Sequence, residues 1–131
     1  MQRGNWAFRA LANYCDLIAE YNREEQRFFI HHDASAPEDE GRWLPVEEVR
    51  LRFRGAYATD MHGARVTESY IRVQFEQGQD SYDFQLRFRG SEWEQRWYAI
   101  HMERGGGPLL LITGKDMYDE RYHDALTGAY N

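Results

Sequence analysis

The sequence predicts an α+β domain, with one antiparallel sheet and helices packed on one of its faces. Three observations carry this prediction. Residues 81–89 alternate strictly between apolar and polar side chains, which is typical of a half-exposed antiparallel strand. Residues 64–77 place apolar side chains at the spacing of an amphipathic helix. Two strand-like runs near the start and two after residue 90 bring the predicted number of strands to five.

The first half of the chain is predicted to contain helices at its start and end and a hairpin between them. Residues 5–14 form a helix, because Trp6, Leu11 and Tyr14 fall near one face. Residues 16–21 and 27–31 form a hairpin whose polar loop is longer than two residues. Residues 33–45 are irregular or form short helical turns. The sequence Pro45-Val46-Glu47-Glu48 favours a short helix over the strand-like alternation that follows it.

The second half is predicted to contain the helix at 64–77 and then three strands at 81–89, 93–102 and 109–113. Glycine-containing turns join these strands. From Met117 the chain becomes polar and helical. There, a narrow seam of coiled-coil type is formed by Tyr118, Tyr122 and Ala125.

Length and composition exclude several classes of protein. The 131 residues suit one domain, and an aromatic content of 15% excludes intrinsic disorder. The single Cys15 excludes a disulfide scaffold, and the longest apolar run, 108–112, is too short to cross a membrane. A net charge of −6 argues against nucleic-acid binding. No signal segment opens the chain, so we expect a soluble, cytoplasmic domain.

The element order resembles the PAS fold, and specific residues support this resemblance. Residues 83–87 are similar to the "FexR" strand of PAS domains, and residues 94–98 to the "eyRWy" strand that follows. Asp116 occupies the Asp of the PAS "G-x-x-D-I-T" motif, although Met117 and Tyr118 replace Ile and Thr. The resemblance implies a five-stranded antiparallel sheet of order 2-1-5-4-3, with helices on one face and a C-terminal linker helix.

The last eight residues resemble the "D-x-L-T-G-L-x-N-R" opening of GGDEF domains, the catalytic domains of diguanylate cyclases. Ala129 replaces the usual Leu, and the matching positions are Asp124, Leu126, Thr127, Gly128 and Asn131. With this resemblance, the predicted organisation is an N-terminal helix at 1–14, a PAS-like sensory domain at 15–116, and a linker helix with the first residues of a truncated GGDEF domain at 117–131. The chain would then stop where the catalytic domain begins and would not itself make cyclic di-GMP.

These resemblances imply a regulatory domain of a bacterial diguanylate cyclase. It would pass a ligand or partner signal through the C-terminal helix to the GGDEF domain, and it would form a homodimer through its terminal helices. Asp116 would serve as a hinge and helix cap, followed by Tyr118, Tyr122 and Asp124 along the transmission path. Two alternatives remain open: a ligand-free dimerisation spacer, and an NTF2-like small-molecule binding protein or enzyme.

Five side chains are candidates for a ligand pocket: Tyr82, Phe84, Trp97, Tyr98 and His101. The aromatic residues could equally form core or a dimer surface, and a register slip of one residue would exchange the two faces. His101 shares one face of its strand with Ala99 and Trp97. The histidines lack metal-ligand spacing, so we expect no metal. The sequence requires no cofactor, and we expect neither haem nor flavin; an unidentified small molecule stays a possible ligand.

Overall fold

The computed structural model describes residues 10, 11, 13–88 and 96–118. Residues 10 and 11 are helical. Within these ranges there are two further helices, α1 (Val46–Arg52) and α2 (Glu68–Glu76), and a 3-10 turn at Pro37–Asp39. The strands of the described part are β1 (Leu17–Asn22), β2 (Arg27–Asp33), β3 (Trp43–Pro45), β4 (Ala56–Thr59), β5 (Arg65–Val66), β6 (Ser81–Phe88), β7 (Arg96–Arg104) and β8 (Leu109–Tyr118).

These strands form one antiparallel sheet in the order β3-β2-β1-β8-β7-β6-β4-β5. The long strands occupy its middle, and the short strands β3, β4 and β5 extend its two edges. The predicted fold class, a five-stranded PAS-like sheet with helices on one face, is therefore wrong. The described part of the chain is mostly an antiparallel sheet of eight strands, accompanied by the two helices α1 and α2.

The sequence did not predict β3, β4 and β5, because these strands are too short to show an alternating pattern. β3 has three residues, β4 four and β5 two. Alternation over so few positions does not differ from a random order of apolar and polar residues. Each of these strands is held by pairing with a longer neighbour or with another edge strand, which is information from the tertiary structure.

The hairpin between β1 and β2 confirms the prediction of a loop longer than two residues. Residues 23–26 form this loop, and Gln26 adopts a positive φ of 53°. The Asn22 side chain accepts the backbone N–H groups of Glu24 and Glu25, both at 3.0 Å. An Asn at this position stabilises a turn because its side chain replaces a missing backbone acceptor.

The two helices follow their local signals closely. α1 begins at Val46, as the sequence predicts, with Glu47 and Glu48 near the positive end of the helix dipole. α2 begins at Glu68, four residues later than predicted, because Arg65–Val66 pairs with β4 instead. The Thr67 hydroxyl caps the first turn by accepting the Tyr70 N–H at 3.0 Å.

One face of the sheet, here called the core face, carries the hydrophobic core. The register places on it the buried side chains Ala19, Ile30, Leu44, Ile100 and Ile112. Both helices pack on this face. Val49 of α1 contacts the core cluster, and Phe75 of α2 lies under the guanidinium of Arg104, a core-face residue of β7.

Gly114 of β8 lies on the core face between β1 and β7, opposite Leu17 and Ile100. A Cβ atom at this glycine would lie 3.1 Å from Ile100 Cδ1 and 3.2 Å from Leu17 Cβ. The absence of a side chain at Gly114 therefore lets its neighbours close over the middle of the sheet. This part of the core face is filled by protein atoms.

The opposite face of the sheet, here called the outer face, differs along its width. Over β6 it presents Asp83, Gln85 and Arg87, and over β7 it presents Trp97, Ala99 and His101. Ile18 of β1 also points to this side, but it is completely buried. Across the described ranges, no helix has the length and apolar character needed to cross a membrane.

Candidate functional site

The five residues predicted to line a pocket are divided between the two faces of the sheet. Tyr82, Phe84 and Tyr98 lie on the core face, where Tyr82 pairs opposite Met102 and Phe84 opposite Ile100. Trp97 and His101 lie on the outer face, opposite Arg87 and Asp83. Because a sheet separates the two groups, these five side chains do not line one pocket; of the five, Phe84 and His101 both border the depression described below.

The core-face members pack in an aromatic row. The ring centroids of Tyr82 and Phe84 lie 6.2 Å apart, and those of Tyr82 and Tyr70 of α2 lie 6.3 Å apart. Tyr98 packs edge-on against Phe88 at 6.1 Å. Burial, followed by the nearby Tyr70, raises the pKa of the Tyr82 hydroxyl. This row joins β6 and β7 to a helix, which is the ordinary use of aromatic residues in a core.

The outer face carries a histidine held between two carboxylates. His101 Nδ1 lies 2.7 Å from Asp83 Oδ1, and His101 Nε2 lies 3.1 Å from Glu103 Oε1. The hydrogen bond with Asp83, followed by that with Glu103, raises the pKa of His101 above its ordinary 6.5. An imidazolium donates from both ring nitrogens, so its charged form fits this site. With both nitrogens engaged, His101 has no free lone pair for a metal or for proton abstraction.

A shallow depression of about 180 Å³ lies beside this histidine. Met61, from the loop between β4 and β5, forms one wall of the depression. Asp83, Ala99 and His101 of the outer face line it together with Phe84 and Ile100. No cluster of three or more His, Cys, Asp or Glu side chains able to hold a metal occurs in the described ranges.

The other end of β6 is basic on the outer face. Arg87 Nη2 donates to Gln85 Oε1 at 2.7 Å, and its guanidinium carbon lies 5.3 Å from the ring centroid of Trp97. Thr59 Oγ1 donates to the same Gln85 oxygen at 3.4 Å. The outer face of β6 therefore changes from acidic at Asp83, through neutral Gln85, to basic at Arg87.

The adjacent histidines His31 and His32 contact different carboxylates. His31 Nε2 lies 2.5 Å from Glu20 Oε1, and His32 Nδ1 lies 2.9 Å from Glu40 Oε2. Glu20 belongs to β1, whereas Glu40 follows the 3-10 turn. Each imidazole is thus bound to its own carboxylate on a different element.

A second candidate site lies at the C-terminal end of β8. The Asp116 N–H donates to Asp16 Oδ2 at 2.6 Å, the Asp16 N–H donates to the Gly114 carbonyl at 2.8 Å, and Lys115 Nζ donates to the Tyr14 carbonyl at 3.2 Å. We call this group of five residues the β1–β8 junction. It binds the segment that enters β1 to the end of the last described strand.

The predicted role of Asp116 as a helix cap is wrong in the described structure. The predicted third strand at 109–113 continues to Tyr118, so Asp116 lies inside β8 opposite Tyr98. Pairing with β7 satisfies the backbone that was expected to turn into a helix at Met117. The backbone of Tyr118 pairs with Arg96 in the same ladder, whereas Tyr122 and Asp124 lie outside the described residues.

Sequence reasoning missed Asp16, which is central to the junction. The sequence places Asp16 at the start of the predicted strand 16–21, where a polar residue gives no signal of a special role. The partner of its carboxylate is 100 positions away in the sequence. An Asp immediately before a strand is a weak signal for side-chain capping of a neighbouring strand.

Comparison of the chain with protein-family models, with curated proteins and with solved structures finds no match in any of the three. The functional argument therefore depends on the geometry of the outer face and of the β1–β8 junction, and on the sequence of residues 119–131, here called the tail.

Proposed function

We propose that the chain is a cytoplasmic regulatory module that forms dimers and controls a diguanylate cyclase (GGDEF) domain. The observation that carries the proposal is the β1–β8 junction, because it lies near the end of β8, the last described strand before the tail. The tail supplies the identity of the controlled domain, since residues 124–131 resemble the opening of a GGDEF domain.

The pairing of β8 supports a role in transmission. Residues 109–114 of β8 pair with β1 on one side, and residues 110–118 pair with β7 on the other. Beyond Gly114 the ladder with β1 ends, and the Asp16 carboxylate takes the Asp116 N–H in its place. The exit of β8 is therefore held on the β1 side by a side-chain hydrogen bond. A shift between β1 and β7 would act first on this bond and then on the tail.

The signal is better explained by association than by a ligand inside the core. The residues proposed for a pocket are divided between two faces, and Leu17 and Ile100 close over Gly114. In the described residues, every buried side-chain nitrogen or oxygen has a hydrogen-bond partner. A polar ligand in the core would need buried side-chain donors or acceptors that are still unpaired, and the described residues offer none.

The test is the rate of cyclic di-GMP synthesis from GTP by a protein in which this chain is followed by its GGDEF domain. Asp16→Ala removes the acceptor of the Asp116 N–H. We expect it to change the rate by about threefold or more in the presence of an intact catalytic domain, a size typical of altered coupling.

Asp60→Ala is the matched control. The Asp60 carboxylate also accepts backbone N–H groups, those of His62 and Ala64, but it does so in the loop between β4 and β5, and β6 and β7 separate β4 from β8 in the sheet. We expect this variant to keep the parental rate. Equal rates for Asp16→Ala and the parent would contradict transmission through the junction, and no cyclic di-GMP from the parent would contradict the assignment of the tail.

A further inference from the structure

The outer face of β6 carries a charge order that is complementary to itself. Asp83, Gln85 and Arg87 occupy successive outer-face positions. With a rise of about 3.4 Å per residue, the acidic and basic positions lie about 14 Å apart, with Gln85 midway. Reversing the strand about Gln85 exchanges the two charged positions.

We propose that a second copy of this chain docks on the outer face over β6 and β7. The two copies are related by a two-fold axis that lies between the two sheets and runs across the strands at Gln85 and Ala99. β6 of one copy then runs antiparallel over β6 of the other. Asp83 of each copy faces Arg87 of the other, which is the arrangement required of an isologous interface. The regulatory purpose of this contact rests on the proposed function, whereas its geometry follows from the sheet alone.

β7 follows the same symmetry. The register places Trp97 beside Arg87, Ala99 beside Gln85, and His101 beside Asp83. The same axis therefore places His101 of one copy over Trp97 of the other, and an imidazolium over an indole ring is a favourable cation–π pair. Ala99 lies at the axis, where its small side chain lets two sheets approach to their usual spacing of about 10 Å.

The acidic end of the proposed contact, at Asp83, also fits the basic end of the second copy, at Arg87, in shape. The depression beside His101 lies at the level of Asp83, so it would face the stacked Arg87 and Trp97 of the second copy. Arg and Trp in a pocket are typical of residues that dominate binding energy. Met61, which is 59% exposed, would close over this anchor.

Exposure restricts the contact to one half of the outer face. The side chains of Asp83 and His101 are 56% and 41% exposed, whereas Ile18 over β1 is completely buried. A second copy fits this half better than an acidic or basic partner. Such a partner would be attracted at one end of β6 and repelled at the other.

Sedimentation equilibrium of the 131-residue chain tests the contact without any cyclase domain. We expect a dimer whose Kd rises about tenfold or more in Asp83→Arg and in Arg87→Asp, since each variant opposes like charges across the axis. Combining the two substitutions restores opposite charges and should return the Kd to within about threefold of the parent. Arg72→Asp, on α2 at the core side, is the control and should leave the Kd unchanged.

A second measurement does not depend on these charges. In a Cys15→Ser background, Ala99→Cys places one thiol at the axis in each copy, and a short bis-maleimide should link the two copies. Ser81→Cys, at the end of β6 away from the axis, should give little linked dimer. A chain that stays monomeric, or a charge-swapped double variant as weak as the single variants, would overturn the proposal. A dimer with these properties but without any effect on cyclase rate would leave the contact intact and remove the regulatory function.

Discussion

The two faces of β6 and β7 are built from the same residues of sequence, taken alternately, and they differ in almost every physical property. On the core face, Tyr82 packs against Phe84 and against Tyr70 of α2, and Tyr98 packs against Phe88. The outer face presents Asp83 and His101 within a network of charges. One strand therefore stabilises the fold with one face and leaves charged side chains exposed on the other. Substitutions on the two faces should therefore affect different measurements.

The largest loss of stability is expected from a charge buried at the core side of the molecule. The Asp39 side chain is 2% exposed, and Arg52 donates to both of its carboxylate oxygens while Arg42 lies 3.3 Å away. Arg52→Leu leaves this carboxylate with a weaker partner. We expect the free energy of unfolding in urea to fall by about 3 kcal/mol at pH 7.

The Asp39–Arg52 pair also makes the free energy of unfolding depend on pH. The hydrogen bond from Arg52 lowers the pKa of Asp39 below its ordinary value of 3.8. A lowered pKa means that the stabilisation is fully present above pH 3.8 and is lost as the pH falls through the folded-state pKa. In Arg52→Leu, the free energy of unfolding should therefore fall less steeply as the pH drops below 3.8. Arg54→Leu, at an exposed neighbouring position, should keep the parental pH dependence. The same pH dependence in both variants would contradict its assignment to the Asp39–Arg52 pair.

A smaller loss is expected from adding one methyl group on the core face. In Gly114→Ala the new Cβ would crowd Ile100 and Leu17, so we expect about 2 kcal/mol of destabilisation from overpacking. Gly55→Ala makes the same chemical change where no atom lies within 4 Å, and it should be close to neutral in the same urea titration. Similar values for the two variants would mean that the space over Gly114 is not filled as described.

The smallest effect on stability is expected on the outer face, at His101. Its pKa is raised, first by Asp83 and then by Glu103, so the stabilisation is fully present below pH 6.5 and is lost as the pH rises through the folded-state pKa. The melting temperature should therefore fall slightly over this interval. His101→Gln should remove the slope, while His62→Gln in the exposed β4–β5 loop should retain it. A slope that survives in His101→Gln would assign it to another group.

The sequence predicts the division of β6 and β7 into two faces but not the use of each face. Alternation placed Tyr82 and Phe84 together and Asp83 opposite them, and the register confirms this division. It could not decide that His101 points away from the core, because the sequence does not show which face the helices cover. It also could not join Asp16 to Asp116, since their hydrogen bond depends on β1 and β8 being neighbours.

The errors have a common physical cause. β3, β4 and β5 exist because longer strands or their neighbours offer unpaired edges, and Met117 and Tyr118 stay extended because β7 continues beside them. In each case pairing between strands overrides a weak local preference. The Val46 helix and the β1–β2 hairpin were predicted well because their signals are local.

The most direct test compares one substitution on each face in the same two experiments. Gly114→Ala and Asp83→Arg are each measured by urea denaturation and by sedimentation equilibrium. If the faces have separate roles, Gly114→Ala lowers the free energy of unfolding and keeps the dimer Kd, whereas Asp83→Arg raises the Kd about tenfold or more with a much smaller loss of stability. An Asp83→Arg chain that associates like the parent would contradict the assignment of the outer face to association.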